Sequence, residues 1–297
     1  MSSIVISRAG PLVTIQDRGR FGALRHGISA SGPMDGAAFA QAGAMLRSAG
    51  SAAIEFTQAG LTFAVEGAPI DAAFVGGDFT LTVNRLPLRW PQRLELEPGD
   101  TVDITPGPSG NYGYIRFGEE IDVAPVLGSR STNTVAGLGG YAGRPLKIGD
   151  WLTTKPIEPV NRPSAASHDG RPDQPIRVVW GLHADLFDPQ ARLAFTGAPF
   201  EISTRMDRMG VRLVPPPEAA LEGLNLSLVS DAIVPGDIQI LGDGTPIVLM
   251  RDHQPTGGYP RIATVVSADL DRFAQMRPGA IVTFDPVTPK RAQALLR

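Results

Sequence analysis

Pro246-Ile247-Val248-Leu249-Met250, Arg251, Asp252-His253-Gln254-Pro255-Thr256-Gly257-Gly258-Tyr259-Pro260-Arg261 and Ile262-Ala263-Thr264-Val265-Val266 form one continuous stretch in which two apolar runs enclose a polar loop. Each run is short, rich in β-branched residues and bounded by turn formers, which reads as a strand and not as a helix segment. The loop carries an acid, an imidazole, an amide, a hydroxyl and a phenol. Its two adjacent glycines permit positive φ and close approach of a ligand or a second backbone, and Pro255 and Pro260 stiffen its shoulders. Two readings are open: a wide hairpin connection whose polar groups face solvent, or a loop that holds those groups still at a site.

Outward from this stretch the composition points the same way. The chain of 297 residues is 42% hydrophobic and 19% charged, a normal globular balance long enough for two domains. Its 34 glycines and 27 prolines, about a fifth of the chain, are dispersed between short apolar runs. Many short strands and turns follow, so a mainly β fold with a few short helices is expected. A formal net charge of −3 with no long basic run lacks the footprint of a nucleic-acid binder. The absence of cysteine excludes disulfides, thiolate metal sites and a cysteine nucleophile. The apolar runs are far too short to span a membrane, and Ile4-Val5-Ile6 opens a strand pattern and not a signal-peptide core, so a cytoplasmic location is expected and no membrane partner.

Ile4 to Ile15 reads as two short strands. Asp35 is placed to cap a helix carrying Phe39, Ala42, Met45 and Leu46. Strand candidates then recur at Ala53–Phe56, Leu61–Val65, Ala72–Val75, Phe79–Val83, Arg93–Leu96, Thr101–Ile104 and Tyr112–Phe117, the spacing of a barrel or sandwich. One turn signature returns at Pro98-Gly99-Asp100, Ile148-Gly149-Asp150, Pro235-Gly236-Asp237 and Pro278-Gly279-Ala280, each time followed by a strand pattern. Two copies lie in each half, which suggests two related β units. Between them residues 156–175 lose apolar periodicity and gather prolines, so the reading is an N-terminal β domain over 1–155, a linker over 156–175 and a C-terminal β domain over 176–297. In the second half Ile176–Trp180, Phe200–Ser203 and Gly210–Leu213 read as strands, His183–Phe187 as one helical turn, Ser267 as the cap of a short helix and Thr288-Pro289 as the start of the last one.

Several chemistries are missing. There is no P-loop, no Gly-x-Gly-x-x-Gly after a strand and no Gly-x-Ser-x-Gly elbow, and the four histidines have no metal-ligand spacing, so no metal is predicted. Gly128-Ser129-Arg130-Ser131-Thr132-Asn133 lacks the setting that activates a hydroxyl, so Arg130 reads as an anion clamp and the hydroxyls, Ser131 among them, as donors. Arg18, Arg20, Arg205, Arg208 and Arg261 also sit in loop sequence beside Gly, Ser or Asp, where a guanidinium can fork onto a carboxylate or phosphate. As a set they favour a small anionic ligand.

Five separated motifs, Gln16-Asp17-Arg18-Gly19-Arg20, Ser31-Gly32-Pro33-Met34-Asp35, Gly128-Ser129-Arg130-Ser131-Thr132, Asp207-Arg208-Met209-Gly210-x-Arg212-Leu213 and Gln254-x-Thr256-Gly257-Gly258-Tyr259-Pro260, occur in the order of the biotin-dependent carboxyltransferase-like family, which the chain resembles over nearly its whole length. The family also carries the names allophanate hydrolase subunit 2, KipA and C-type subunit of the bacterial 5-oxoprolinase. Pro255 departs from it, standing where the family usually has Thr, and removes a hydroxyl and a backbone N–H. The resemblance implies two cyclophilin-like β-barrel units. It implies an ATP-dependent 5-oxoprolinase complex with ATP as co-substrate, an A-type partner chain and a B-type (allophanate hydrolase subunit 1-like) partner chain, with a composite site between this chain and a partner. Under it Arg130, Arg208, Gln254 and Thr256 are the expected catalytic residues, and Ser131, Gly257, Gly258, Tyr259 and Asp35 line the substrate. The alternatives it leaves open are the carboxyltransferase part of a urea carboxylase and a KipA-type regulator. The chain has no Ala/Val-Met-Lys-Met biotinylation segment, so no covalent biotin is expected on it, and it lacks the Ser-Ser-Lys machinery of an amidase.

Overall fold

A computed structural model describes residues 1–158, 174–219, 221 and 228–295; the linker read over 156–175 lies mostly outside them. Two compact units emerge, one of Met1–Gly22 with Ala30–Asp169 and one of Ala23–Ser29 with Gly170–Arg297.

The first unit runs β1 (Ser3–Ala9), β2 (Thr14–Gln16), α1 (Gly36–Met45), β3 (Ala53–Thr57), β4 (Leu61–Glu66), β5 (Ile70–Gly76), β6 (Phe79–Val83), β7 (Leu86–Leu88), β8 (Gln92–Leu96), β9 (Thr101–Pro106), β10 (Tyr112–Phe117), β11 (Glu120–Ile121) and β12 (Trp151–Lys155). All seven strands expected between Ala53 and Phe117 are present. They form a seven-stranded sheet, β11-β12-β1-β4-β9-β6-β7, and a five-stranded sheet, β2-β3-β10-β5-β8. Leu61, Phe63 and Val65 alternate inward from β4 and meet Ile4, Ile6, Ile54, Phe56, Phe74, Ile115 and Phe117 in one apolar core shared by both sheets. β10 is buried on both faces because α1 covers the other side. There the Arg116 guanidinium lies 4.4 Å over the Phe39 ring, and Tyr114 meets the same ring edge-on. Asp35 caps α1 as the sequence indicates, its carboxylate accepting from Ala38 N at 2.8 Å.

The second unit runs β13 (Ile176–Trp180), α2 (Pro189–Gly197), β14 (Phe200–Met206), β15 (Gly210–Val214), β16 (Asp231–Ala232), β17 (Asp237–Ile240), β18 (Pro246–Leu249), β19 (Thr256–Gly257), β20 (Arg261–Val265), α3 (Ser267–Ala274), β21 (Ile281–Val282), β22 (Phe284–Pro286) and α4 (Pro289–Ala294). Eight strands make one sheet, β21-β14-β15-β18-β17-β20-β13-β22, and β16 pairs with β19 in a separate two-stranded ribbon. The hairpin reading of the 246–266 stretch does not hold. β18 and β20 both pair with β17, which lies between them, so the polar loop is a connection across a strand. Asp237-Ile238-Gln239-Ile240, buried throughout, takes the central place.

Helix α2 has no counterpart in the sequence reading although Asp188 and Pro189 are a start signal; Asp188 accepts from Ala191 N at 2.7 Å. Phe195 anchors it, stacked on Phe284 with centroids 4.9 Å apart. Ser267 is the first residue of α3, not its cap; Val266 occupies that position. Thr288 caps α4 as expected, accepting from Arg291 N at 3.3 Å.

The four recurrent turns behave alike. Gly99, Gly149, Gly236 and Gly279 all take positive φ, between 83° and 94°. Their N–H groups donate to Val65, Ile6, Leu249 and Ile202 O respectively, each on a neighbouring strand. In three of them the aspartate closes the turn: Asp100, Asp150 and Asp237 accept from Glu97, Lys147 and Val234 N at 2.8, 2.8 and 3.0 Å. Each unit therefore starts two of its strands from the same device.

Candidate functional site

In the first unit three of the sequence motifs meet, two of them directly on Asp17 and the third through Gln16 and Arg20. Asp17 Oδ1 accepts from Gly19 N (2.9 Å), Ser129 Oγ (2.5 Å) and Ser131 Oγ (2.7 Å), and its Oδ2 accepts from Arg130 N (2.6 Å). Burial works to raise the Asp17 pKa, but the hydrogen bonds from Ser129, Arg130, Ser131 and Gly19 outweigh it and hold the carboxyl below its ordinary value. Arg20, buried beside it, donates to Ser131 O and, at 3.4 Å, to Ser31 Oγ. Gln16 links the motifs again, donating to Thr132 O at 3.1 Å and accepting from Gly32 N at 3.2 Å.

Two glycines let the loops touch. Gly19 (φ +95°) would bring a Cβ to 2.7 Å from Ala30 O, and Gly32 (φ +88°) to 3.1 Å from Arg18 O. Beneath them Met34 N donates to Glu55 Oε2 (2.8 Å), Tyr114 OH donates to the same oxygen (2.8 Å), and Asp35 N donates to Tyr114 OH (2.8 Å). Burial, then the charges of Glu55 and Asp35, push the Tyr114 phenol well above its ordinary value, so it remains a donor.

In the second unit the guanidinium of Arg208 forks onto Asp252, Nε to Oδ2 at 2.8 Å and Nη2 to Oδ1 at 3.2 Å, with both side chains buried. Asp252 N returns a bond to Arg208 O at 2.7 Å, which ties the turn after β14 to the polar loop. His253, also buried, places Nδ1 2.6 Å from Gln254 O. Burial holds its pKa below the ordinary value against that bond and the Asp237 and Asp252 charges, so the ring is neutral near pH 7 and Nδ1 carries the proton. Gln254, Thr256 and Tyr259 are exposed on the loop. The ribbon pairs Thr256 with Ala232 and Gly257 with Asp231, and Leu228 N donates to Gly258 O at 2.9 Å. A Cβ on Gly258 would come within 2.8 Å of Leu228 O.

The expected site residues therefore fall in two places. Ser131 and Arg130 belong to the Asp17 cluster. The Arg130 side chain donates to Val123 O (3.1 Å) and Ser51 Oγ (3.2 Å), lies 3.7 Å from Glu120 and keeps 27% exposure. Asp35 caps α1 in the same unit. Arg208 meets a carboxylate, but it is the protein's own Asp252. Gln254, Thr256, Gly257, Gly258 and Tyr259 lie together on one loop. Sequence reasoning quotes Asp17, Asp252 and Asp237 within motifs but gives none of them a role, and it does not single out Glu55 or Gln239. Glu55 carries a signal, a lone carboxylate inside an apolar strand run; Gln239 gives none, and the roles of Asp17 and Asp252 rest on partners remote in the chain. Among the described residues no group of three or more His, Cys, Asp or Glu could hold a metal, and no helix is long and apolar enough to cross a membrane.

Comparison with known proteins bears on the whole chain. The family described as "Carboxyltransferase domain, subdomain A and B" matches residues 26–286. The chain is 35% identical to the C-type subunit of the 5-oxoprolinase of Escherichia coli (strain K12), over 94% of this chain and 89% of that protein. It is 32% identical to the C-type subunit of the 5-oxoprolinase of Haemophilus influenzae, over 96% of this chain and 91% of that one. The crystal structure of the K. lactis urea amidolyase superposes with a TM-score of 0.87 at 27% identity, covering 98% of this chain but 19% of that much longer one. A mainly β chain of two units, matched by this family over most of its length and by these relatives from end to end, belongs to the carboxyltransferase domain family, subdomains A and B.

Proposed function

We propose that this chain is the C-type subunit of a cytoplasmic, ATP-dependent 5-oxoprolinase, a hydrolase of a cyclic amide that works with an A-type and a B-type (allophanate hydrolase subunit 1-like) partner. The complex would take 5-oxoproline, ATP and water to glutamate, ADP and phosphate. The observation that carries this reading is the 35% identity to the E. coli 5-oxoprolinase component across 89% of that protein's length, which leaves little of it without a counterpart here.

The chemistry that this chain can supply is preorganised donors and positive charge. A lactam resists water because its nitrogen lone pair is delocalised into the carbonyl, and transfer of the ATP γ-phosphoryl group to the carbonyl oxygen, with release of ADP, removes that delocalisation. Water then adds to the ring carbon, the ring nitrogen takes a proton and the C–N bond breaks to leave an acyl phosphate, which a second water hydrolyses to glutamate and phosphate. Negative charge builds on the atoms attached to that carbon as each water adds. Donors fixed in advance stabilise that charge without reorganising. The Gln254 amide, the Thr256 hydroxyl and the Gly257–Gly258 backbone are assigned to it, with Tyr259 as a wall or donor. Arg208 acts on them through Asp252, which fixes the start of the loop, and His253 fixes the Gln254 carbonyl. Arg130, partly exposed, is assigned to an anionic group at the Asp17 cluster; Ser131, expected on the substrate, is buried with its hydroxyl proton on Asp17 and positions the Arg130 loop, and Asp35 holds the adjoining helix. Pro255 contributes no N–H, and its carbonyl accepts from Ile233 N at 3.3 Å.

The test is release of glutamate and ADP from 5-oxoproline and ATP by the purified A-type and B-type partners, with this chain added or omitted. Both products should depend on this chain, and alanine at Gln254 or Arg130 should lower turnover of the assembled complex. A pair equally active without it, or an inert trio, overturns the reading. The second reading, the acceptor part of a urea carboxylase-type biotin enzyme, is favoured by the superposition on urea amidolyase. Urea-dependent ATP cleavage with a biotin carboxylase partner would select it. A regulator of the KipA type would need neither activity.

A further inference from the structure

Two donor atoms under the ribbon have no acceptor among the described residues. Gln239 on β17 and Arg261 on β20 are cross-strand partners, so their side chains leave the sheet on the same face, about 5 Å apart at Cβ. Both are buried, at 1% and 5% exposure. Among the described residues Gln239 Nε2 and Arg261 Nε have no hydrogen-bond partner. An amide NH₂ buried without an acceptor is costly and rare in a native protein. The amide lies directly below the polar loop, since a Cβ on Gly257 would stand 2.6 Å from Gln239 Nε2. The glycine of the motif therefore leaves room for the amide, which a Cβ there would push aside.

Arg261 has a carboxylate on it already. Its Nη2 donates to Asp231 Oδ2 at 2.7 Å and its Nη1 to Ala232 O at 2.9 Å, both on the outer strand of the ribbon. The Asp231 side chain is 57% exposed, so this acceptor is at the surface and replaceable, whereas Asp237, 3.4 Å from Nη1, is buried with the arginine. The ribbon itself is two residue pairs long.

We infer that Gln239 and Arg261 form a subsite for a small molecule bearing a carboxylate next to a planar amide carbonyl, with the β16–β19 ribbon as its roof and Asp231 as the group that the ligand's carboxylate displaces. The guanidinium forks onto the carboxylate and the Gln239 amide donates to the carbonyl. Identifying that molecule with 5-oxoproline rests on the function proposed above; the donor pair does not.

The experiment is equilibrium binding of 5-oxoproline, proline and 2-pyrrolidinone to the full chain, alone and in the trio, for the wild type, Gln239→Met and Asp231→Asn. 5-Oxoproline should bind more tightly than either fragment. Gln239→Met should weaken 5-oxoproline roughly tenfold, the scale of one hydrogen bond, and leave proline unchanged. Asp231→Asn, which keeps an oxygen able to accept from Arg261 and leaves Asp237 beside the guanidinium, should tighten 5-oxoproline and proline severalfold and leave 2-pyrrolidinone alone. Affinities within twofold of wild type in both variants, the result for an amide satisfied by buried water only, overturn the subsite. So does failure of 5-oxoproline to bind. Glutamate release by a trio indifferent to both substitutions removes the subsite and keeps the proposed function. 5-Oxoproline binding that tightens in Asp231→Asn, in a trio that releases no glutamate, keeps the subsite and removes the function.

Discussion

Asp17 shows how much one buried carboxylate can organise. Four donors from two segments converge on it, so Asp17→Asn should cost about 2–3 kcal/mol near neutral pH, within the range for hydrogen bonds to a charged acceptor. The pH dependence has a definite sign. The folded-state pKa lies below the ordinary 3.8, so the contribution is complete above that value and disappears as pH falls through the folded-state pKa. Urea unfolding midpoints of wild type and Asp17→Asn should therefore converge as pH drops below about 4, and a gap that persists there contradicts the assignment. The sequence marks this residue as part of a motif but not as its centre. Residue type and order are local information, whereas Ser129 and Ser131 reach Asp17 across more than a hundred residues. Arg208 makes the same point: a guanidinium beside Asp and Gly reads as an anion clamp, and only the fold reveals that the anion is Asp252.

At the scale of elements, strands are legible and their order is not. Alternation in β4 and the uniformly buried β10 follow from which faces are covered, and those patterns survive in the sequence. Nothing in 246–266 says that β17 will insert between β18 and β20, because strand order depends on remote pairing. Helix α2, with Phe195 as its one buried residue, lacks the apolar stripe by which helices are read. The Arg208–Asp252 pair joins two such elements, the turn after β14 and the loop after β18. Removing one partner leaves a buried charge uncompensated, so Arg208→Met or Asp252→Asn alone should destabilise by about 3–5 kcal/mol. The double variant should cost clearly less than the sum, since neither charge remains. Chemical denaturation of the full cycle measures this, and additive costs would mean that the two side chains act independently.

For the whole molecule, the sequence carries the class and the family further than the site. Dispersed Gly and Pro, the repeated turn and five ordered motifs all lead to a mainly β carboxyltransferase-type chain, which the family match across residues 26–286 supports. The choice between the two chemistries of that family belongs at this scale, because it turns on what the assembled protein contains. A carboxyltransferase acts on a carboxyl group delivered by biotin, and this chain has no biotinylation segment of its own. If the trio is an oxoprolinase, its energy comes from phosphorylation of the lactam and no step passes through biotin. Excess avidin, which sequesters protein-bound biotin, should then leave glutamate release from 5-oxoproline unchanged within error, and added urea should not raise ATP cleavage. Loss of turnover on adding avidin, restored by prior saturation of the avidin with free biotin, would place a biotin carrier in the cycle. The donors on the 254–259 loop would then serve carboxyl transfer and not ring opening.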